Sequence, residues 1–438
     1  MISGLRILKE TIIWALLVIL VGLAACTPTI TDRMLLASGK TLQSEKNRVT
    51  SPEVAKAEQT ALTDGNSAFA FDLYQELKEE DGNLFYSPYS ISAALAMTYA
   101  GARGNTEKQM ADTLHFNLSR ERLHPAFNWL EQELARRGEG ARGKDDKGFR
   151  LNVVNAIWGQ KNYEFMVDFL DTLAENYGAG LRILDFNNAP EESRITINDW
   201  VSDQTEDRIK DLIPPGGIDA LTRLVLTNAI YFNAAWENDF SKKQTTDGLF
   251  HLLDGESVSV PMMRQTESFG YAEGDNYQAV ELPYDGHELS MVILLPGDGQ
   301  FAEFEGALDF QQVEDIVTRL AVLRVNLTMP KFEFESSFSL VEALSVMGMS
   351  DAFSPGADFS GMTGNREPLF IGDVIHKAFV SVDEEGTEAA AATAVIMPIS
   401  APPSEPVVVI IDRPFIFFIR DIKTGAILFV GRVVDPSA

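Results

Sequence analysis

Two hydrophobic patterns divide the chain. Apolar residues recur at helical spacing over 68–77, and a second apolar run, 91–99, follows the helix-start signal Ser87-Pro88. Later segments are runs rich in β-branched and aromatic residues that predict strands: 151–158, 224–232, 289–295, 324–334, 407–411 and 415–419. Helices that come early and strands that come later predict an α+β fold.

Composition and charge narrow the class of protein. The 438 residues are 45% hydrophobic and 23% charged, which is ordinary for a globular chain that buries a large core. No internal repeat or long linker interrupts residues 61–438, so these residues are predicted to form one domain. The formal net charge of −28 argues against binding to nucleic acid and against activation by heparin-like polyanions.

The N-terminus has the order of a signal peptide. Arg6 and Lys9 precede an apolar stretch, 12–21, and Leu-Ala-Ala stands directly before Cys26, the single cysteine. This order resembles the bacterial lipobox, which implies cleavage after residue 25 and lipidation of Cys26; a buried structural cysteine is the alternative. The protein is then expected outside the cytoplasm, anchored by lipid to a bacterial membrane or the cell surface, with either membrane open. Residues 26–60, rich in Thr, Ser, Lys and Glu, read as a flexible tether.

Sequence motifs of enzymes and of cofactor-binding sites are weak or missing in this sequence. Gly138 to Gly143 match the GxGxxG pattern that cradles a dinucleotide, but charged residues on both sides indicate a solvated loop. Neither Gly-x-Ser-x-Gly nor His-Glu-x-x-His occurs, and the five histidines show no metal-ligand spacing. We therefore expect no cofactor, no metal and no enzymatic activity, although a triad assembled in space is a formal alternative.

The segment 383–397 is unusual because it is built of small residues behind a glycine. Gly386 offers a flexible pivot, and Glu388 is the only charged residue after it. In a strand, alternate side chains would face inward, and this uncharged set is Thr387, Ala389, Ala391, Thr393 and Val395. The alternative is a surface helix, since four consecutive alanines favour one.

The flanking sequence favours the strand. It includes 83–90, continued through 93–106; 226–232, followed by Trp236-Glu237; 375–378; and 412–415 with 425–436. In this order the segments resemble the serpins, the serine protease inhibitors that trap their targets by inserting a cleaved loop into a sheet. The resemblance covers the predicted domain from end to end. It implies a serpin fold of three β-sheets and eight or nine helices, with an exposed reactive-centre loop at about 384–406.

The resemblance also implies two polar clusters beside that loop. The "shutter", a buried hydrogen-bonded cluster where the sheet parts, would contain Ser87, Ser90, Asn228 and His376; ordinary capping and turn residues are the alternative. The "breach", where insertion begins, would contain Trp236 and a pair between Lys331 and Glu384. A solvated lysine at a strand end is the alternative for Lys331.

Family mechanism then implies what the loop does. The target serine protease would form a covalent acyl-enzyme with the loop of a monomeric inhibitor, and the loop would insert before the acyl bond is hydrolysed. The hinge that begins insertion would comprise Glu384, Glu385, Gly386, Thr387, Glu388, Ala389, Ala390, Ala391, Ala392 and Thr393.

The bait bond is less well defined. Counting family positions from Gly386 places it between Ser400 and Ala401, while counting back from Pro414 places it a few residues later. Ile399–Ser400 and Met397–Pro398 are the alternatives. Lys and Arg are absent from 378–412, so elastase-, subtilisin- or chymotrypsin-like proteases are the expected targets. A non-inhibitory binding protein on a serpin scaffold is the alternative function.

Overall fold

The computed structural model describes residues 40–143, 148–364, 368–387 and 405–438. Ten α-helices lie within them: α1 (Lys56–Leu77), α2 (Pro88–Tyr99), α3 (Gly104–Thr113), α4 (Arg120–Ala135), α5 (Val167–Tyr177), α6 (Pro190–Gln204), α7 (Phe301–Ala307), α8 (Phe310–Arg319), α9 (Val341–Leu344) and α10 (Ser360–Thr363). The last two are four-residue turns, which leaves eight longer helices against the eight or nine expected.

The same residues form sixteen strands. They are β1 (Lys40–Leu42), β2 (Leu84–Tyr86), β3 (Arg150–Gln160), β4 (Leu181–Leu184), β5 (Leu224–Ala235), β6 (Thr246–His251), β7 (Ser257–Glu273), β8 (Tyr277–Pro283), β9 (Leu289–Pro296), β10 (Ala321–Pro330), β11 (Phe332–Ser339), β12 (Asp373–Asp383), β13 (Gly386–Thr387), β14 (Val407–Ile410), β15 (Phe415–Asp421) and β16 (Ile427–Val433).

A seven-stranded sheet in the order β1-β4-β3-β5-β13-β12-β11 organises the fold. Every residue of β5 is buried, as expected for a central strand covered on both faces. Leu226 and Ile230 of this strand join the main core, which includes α1 and α2. Val225 and Ala229 join a second core, to which α6 contributes Ile197. The period of two thus places alternate β5 side chains in separate cores.

The remaining strands hydrogen-bond in one nine-stranded network, β14-β10-β7-β8-β9-β15-β16-β2, with β6 beside β7. Strand β7 is seventeen residues long and serves two groups of strands. Its residues 262–271 pair with β10, and its last four pair with β8. Because a single strand joins the two groups, the three sheets expected of the fold become two hydrogen-bonded networks in the described residues.

One sequence prediction about element boundaries was wrong. The run 324–334 is two strands, because the chain leaves β10 at Pro330 and Lys331 stands between it and β11. Of the predicted tether, 26–60, the structure describes residues 40–60. Ser44 Oγ donates to Asp171 at 2.5 Å, Arg48 Nε donates to Asn128 Oδ1 at 2.8 Å, and α1 begins at Lys56. Polar side chains of this segment thus bond to residues of α4 and α5.

The N-terminal predictions fall outside the described residues. Signal peptide 1–25, Cys26 and the first part of the tether all precede residue 40. Within the described ranges, no helix has the length and apolar character needed to cross a membrane.

Candidate functional site

The hinge begins where β12 ends. After Asp383 the chain turns, and β13 returns antiparallel to β12 and to β5, between the two. Thr387 lies opposite Val382 on one side and Ala234 on the other. Gly386 has a φ of +143°, and a Cβ there would lie 2.2 Å from the Ala234 carbonyl oxygen. Only glycine fits this close approach.

Thr387 faces the interior, the side on which the sequence pattern placed it. Its side chain is 2% exposed, and its hydroxyl lies 3.0 Å from the Tyr284 hydroxyl. Tyr284 in turn stacks on Trp236, with ring centroids 4.7 Å apart. Thr387, the first residue after Gly386, therefore lies against a buried pair of stacked aromatic rings.

The rest of the predicted loop lies outside the described residues. This holds for the hinge residues Glu388, Ala389, Ala390, Ala391, Ala392 and Thr393, and for the bait candidates Met397, Ile399, Ser400 and Ala401.

Strands β5 and β12 contact each other along only part of their length. They pair in parallel from Asp373–Val225 to Ala378–Ile230, and β13 separates them at the far end. Between these stretches, residues 231–233 and 379–381 form no ladder with each other or with another described strand between them. Strands β5 and β12 are thus not paired with each other in the stretch into which β13 would extend.

The predicted breach residues meet beside the hinge. Lys331 Nζ donates to Glu384 Oε2 at 2.8 Å, and the Glu384 side chain is 5% exposed. Thr245 Oγ1 donates to the other carboxylate oxygen at 2.7 Å. Burial disfavours the charged carboxylate, but the hydrogen bonds from Lys331 and Thr245 outweigh burial and hold the pKa of Glu384 below its ordinary value.

Trp236 joins the hinge to β5. Its indole Nε1 donates to the Asp383 carbonyl at 3.0 Å, and its backbone N–H donates to the Glu385 carbonyl at 3.0 Å. The side chain is 1% exposed. The turn between β12 and β13 is therefore held at both of its ends by one residue.

The predicted shutter residues also meet, at the level where β5 and β12 still pair. Asn228 Nδ2 donates to Ser90 Oγ at 2.5 Å, and Asn228 Oδ1 contacts His376 Nδ1. Ser87 N–H donates to His376 Nε2 at 3.2 Å, so the ring proton is assigned to Nδ1. Burial lowers the pKa of His376 from 6.5 to about 3, which keeps the ring neutral.

Sequence reasoning missed three members of these clusters. Asn155 on β3 lies opposite Asn228 and accepts from its Nδ2. Thr245 and Tyr284 contact the hinge itself. The signal for Asn155 was a polar residue inside an apolar strand, whereas Asn228, its partner on β5, was identified through the family resemblance.

The arrangement suits a sheet that opens. Within the described residues, no group of three or more His, Cys, Asp or Glu side chains could hold a metal ion. The polar atoms of the site are used to hold strands and the hinge.

Comparison with known proteins agrees with this geometry. The family model "Serpin (serine protease inhibitor)" matches residues 64–436. An uncharacterized serpin-like protein of Thermococcus kodakarensis is 43% identical over 85% of this chain and 85% of its own length. The human leukocyte elastase inhibitor is 41% identical over 86% of this chain and 99% of its own.

Among solved structures, the thermophilic serpin tengpin in its native state is similar with a TM-score of 0.79 and 29% identity. That likeness covers 91% of this chain and all of tengpin. Fold, family model and relatives lead to one conclusion: the chain belongs to the serpin family of serine protease inhibitors.

Proposed function

We propose that this serpin inhibits serine proteases by loop cleavage, acyl-enzyme trapping and insertion of the cleaved loop into the seven-stranded sheet. The observation that carries the proposal is the seat of β13 between β5 and β12. Gly386 and Thr387 already pair with both neighbouring strands as the first two residues of an added strand. Directly beyond them, β5 and β12 are not paired with each other.

Strand geometry supplies a driving force for insertion. Strands β5 and β12 pair in parallel, whereas β13 is antiparallel to both. Each inserted residue would exchange one parallel ladder for two antiparallel ones, and antiparallel pairing is slightly more stable per residue. A longer inserted strand would also satisfy backbone groups of 231–233 and 379–381. The cleaved form should therefore be the more stable one.

Small residues after the pivot fit this proposal. Thr387 occupies a buried site against Tyr284, and the inward positions that follow it in the sequence are alanine, threonine and valine. A large or charged inward side chain would slow insertion and let the acyl-enzyme be hydrolysed. The inhibitor reading is therefore preferred over a binding protein on the same scaffold.

Target class and location belong to the same proposal. We place the bait bond at Ser400–Ala401, with elastase-, subtilisin- or chymotrypsin-like proteases as targets. The name of the human relative, leukocyte elastase inhibitor, supports the elastase-like choice. We also place the protein outside a bacterial cytoplasm, held to the membrane by a lipid on Cys26.

Incubation with elastase and with subtilisin tests the trapping mechanism. The mature chain should give a protease complex that survives SDS, and the cleaved inhibitor should melt at a higher temperature than the intact one. A chain that is only cleaved, and gains no heat stability, would refute trapping. Mass spectrometry of the released C-terminal peptide would locate the bait bond.

A further inference from the structure

A glycine-rich segment, Gly138–Gly143, lies between α4 and β3 and has no role in the function described above. It matched a dinucleotide-binding pattern in the sequence, but two of its glycines, Gly138 and Gly143, are required by close packing. A Cβ on Gly138 would lie 2.3 Å from the Phe149 ring, and a Cβ on Gly143 would lie 1.9 Å from the Gly148 carbonyl oxygen. We refer to residues 137–143 as the strap.

The strap is fixed at its start by a buried ion pair. Arg137 Nε lies 2.6 Å from Asp421 Oδ1, and both side chains are nearly inaccessible, at 3% and 0%. The next residue, Gly138, donates its N–H to Glu288 Oε2 at 2.7 Å. These bonds place the strap across the turn between β8 and β9.

The strap ends on the breach, through Arg142. The Arg142 carbonyl accepts the N–H of Ala235 at 3.1 Å, beyond the last β3–β5 pair, Arg150–Asn233. Its guanidinium donates to the Trp236 carbonyl at 3.1 Å. Arg142 therefore binds Ala235 through its backbone carbonyl and Trp236 through its side chain, on the side of β5 opposite the hinge.

Two carboxylates complete the contact. Arg142 N–H and Nε both donate to Asp285 Oδ2, at 2.8 and 3.3 Å, and its Nη1 lies 3.5 Å from Asp239 Oδ2. Burial raises the pKa of Asp239, and Glu385 and Asp285 act in the same direction. Arg142 offsets the negative charge of Asp239 and Asp285, while Lys242 pairs with Glu385.

Trp236 is the link between the strap and the hinge. Its carbonyl is bound by Arg142, while its N–H and indole bond to the carbonyls of Glu385 and Asp383. Ala235 likewise bonds to Arg142 and lies opposite Gly386. A shift of Arg142 would be transmitted to the seat of Gly386 and Thr387 through one residue.

We propose that Arg142 is a positioning residue for loop insertion: it fixes Trp236 and the end of β5 so that the hinge pairs correctly. The proposal rests on the proposed function, because insertion is the step that the seat serves. Arg142 would act on the hinge through Trp236 and Ala235, so it should influence how often insertion wins over hydrolysis. It should leave the encounter with the protease unchanged.

The test compares Arg142→Ala and Arg142→Lys with Arg136→Ala in the mature chain. Arg136 is the matched control, because its side chain is 60% exposed and pairs with Glu133 at 3.2 Å, away from the breach. Two quantities are measured with elastase: the association rate and the moles of inhibitor consumed per mole of protease. Hydrogen exchange at the amides of Trp236 and Thr387 is measured without protease.

For Arg142→Ala we expect about tenfold faster exchange at Trp236, the effect of losing one hydrogen bond from a charged donor. Inhibitor consumption should rise roughly three- to tenfold by the same reasoning, with the association rate unchanged. Arg142→Lys should fall between, since lysine keeps the charge but lacks the planar fork. Arg136→Ala should match the parent.

Unchanged exchange and consumption in Arg142→Ala would overturn the proposal, and so would a fall in the association rate alone. The two proposals fail separately. A parent chain that traps no protease while Arg142→Ala still speeds exchange at Trp236 refutes the inhibitory function and keeps the positioning role. A parent chain that traps protease, with exchange and consumption unchanged in Arg142→Ala, keeps the inhibitory function and refutes the positioning role.

Discussion

The breach and the shutter lie along the same pair of strands but are built differently. The breach is charged and reaches solvent: the Lys331 side chain is 35% exposed, and its partner Glu384 is 5% exposed. The shutter is neutral and dry, with Asn228 and His376 both 0% exposed. Strands β5 and β12 are separated by β13 at the breach and pair directly at the shutter.

This difference assigns the two clusters separate tasks. A charged pair that water can reach exchanges partners at low cost, because screening keeps its net worth small. A buried neutral network loses heavily if one member is left without a partner. If the loop inserts as proposed, the breach is suited to admit the hinge, and the shutter would keep the sheet closed ahead of it.

The largest expected effect comes from Thr387→Arg at the breach end. The residue is 2% exposed against Tyr284, so insertion would have to bury an unpaired cation. The variant should be cleaved as a substrate, and SDS-resistant complex should fall at least about tenfold, since burying the charge costs well over 1.4 kcal/mol. Gel analysis with elastase measures it.

Thr387→Ala is the control, because it removes the hydroxyl and keeps a small inward side chain. It should still trap protease. Equal trapping by the arginine variant would show that inhibition does not depend on a small buried side chain at this position.

The next effect belongs to the shutter. Asn228→Ala removes hydrogen bonds to Ser90, Asn155 and His376 and leaves these groups buried. The native form should lose about 3 kcal/mol of stability, from unsatisfied polar groups and a small cavity. Thermal unfolding measures the loss. The exposed Asn117→Ala serves as control and should change stability by less than about 0.5 kcal/mol.

A pH titration separates the two clusters. Burial lowers the pKa of His376 to about 3 in the fold, so below pH 6.5 the unfolded chain binds a proton that the native one refuses. Stability should fall by about 2 kcal/mol from pH 8 to pH 5 on account of this group. His124, also buried with a pKa of about 3, adds a similar amount.

The breach should add no pH dependence to the stability between pH 8 and pH 5. The pKa of Glu384 is held below its ordinary value of 4.5, so the stability it contributes is present above that pH and is lost as the pH falls through the lowered value. His376→Gln should therefore remove about half of the histidine-dependent slope in melting temperature against pH. A slope equal to the parent's would contradict the neutral shutter.

The smallest expected effect is Lys331→Met at the breach. Glu384 would keep the hydrogen bond from Thr245 but lose its cation, at a cost of roughly 1 kcal/mol in a site that water reaches. Lys423→Met removes a similar pair with Glu133 whose lysine is 69% exposed, and it should cost less. Urea unfolding of both variants compares them. Equal losses would remove the distinction between breach and surface.

Some of this fold could be read from local pattern. The strand 224–232 and the helix 91–99 stand out because most of their residues are apolar, and both elements are buried in the structure. Strand β7 was missed because its burial changes with its partners along seventeen residues, so no single period describes it. The break at Pro330 was missed because apolar residues continue on both sides of it.

The clusters were predicted from the family resemblance, and the residues by themselves supported it only where one residue was out of place for its surroundings. Asn228 is a polar residue in an apolar strand, and Gly386 stands before a run of small residues. Arg142 carries no such signal, because a surface arginine and one bound to Trp236, Asp239 and Asp285 look alike in a sequence. Contacts between segments distant in sequence depend on the tertiary structure.

The short strand β13 also has a kinetic meaning. Two paired residues are a nucleus: the entropy of closing the turn at Glu384–Glu385 is already lost before any protease arrives. Further pairing would then proceed one residue at a time, each step beside a formed neighbour. Because Thr387 is fixed opposite Val382 and Ala234, a slip by one residue would turn every later side chain to the wrong face. Insertion, which has to precede hydrolysis of the acyl bond, would thus begin with the turn already closed and the strand register already set.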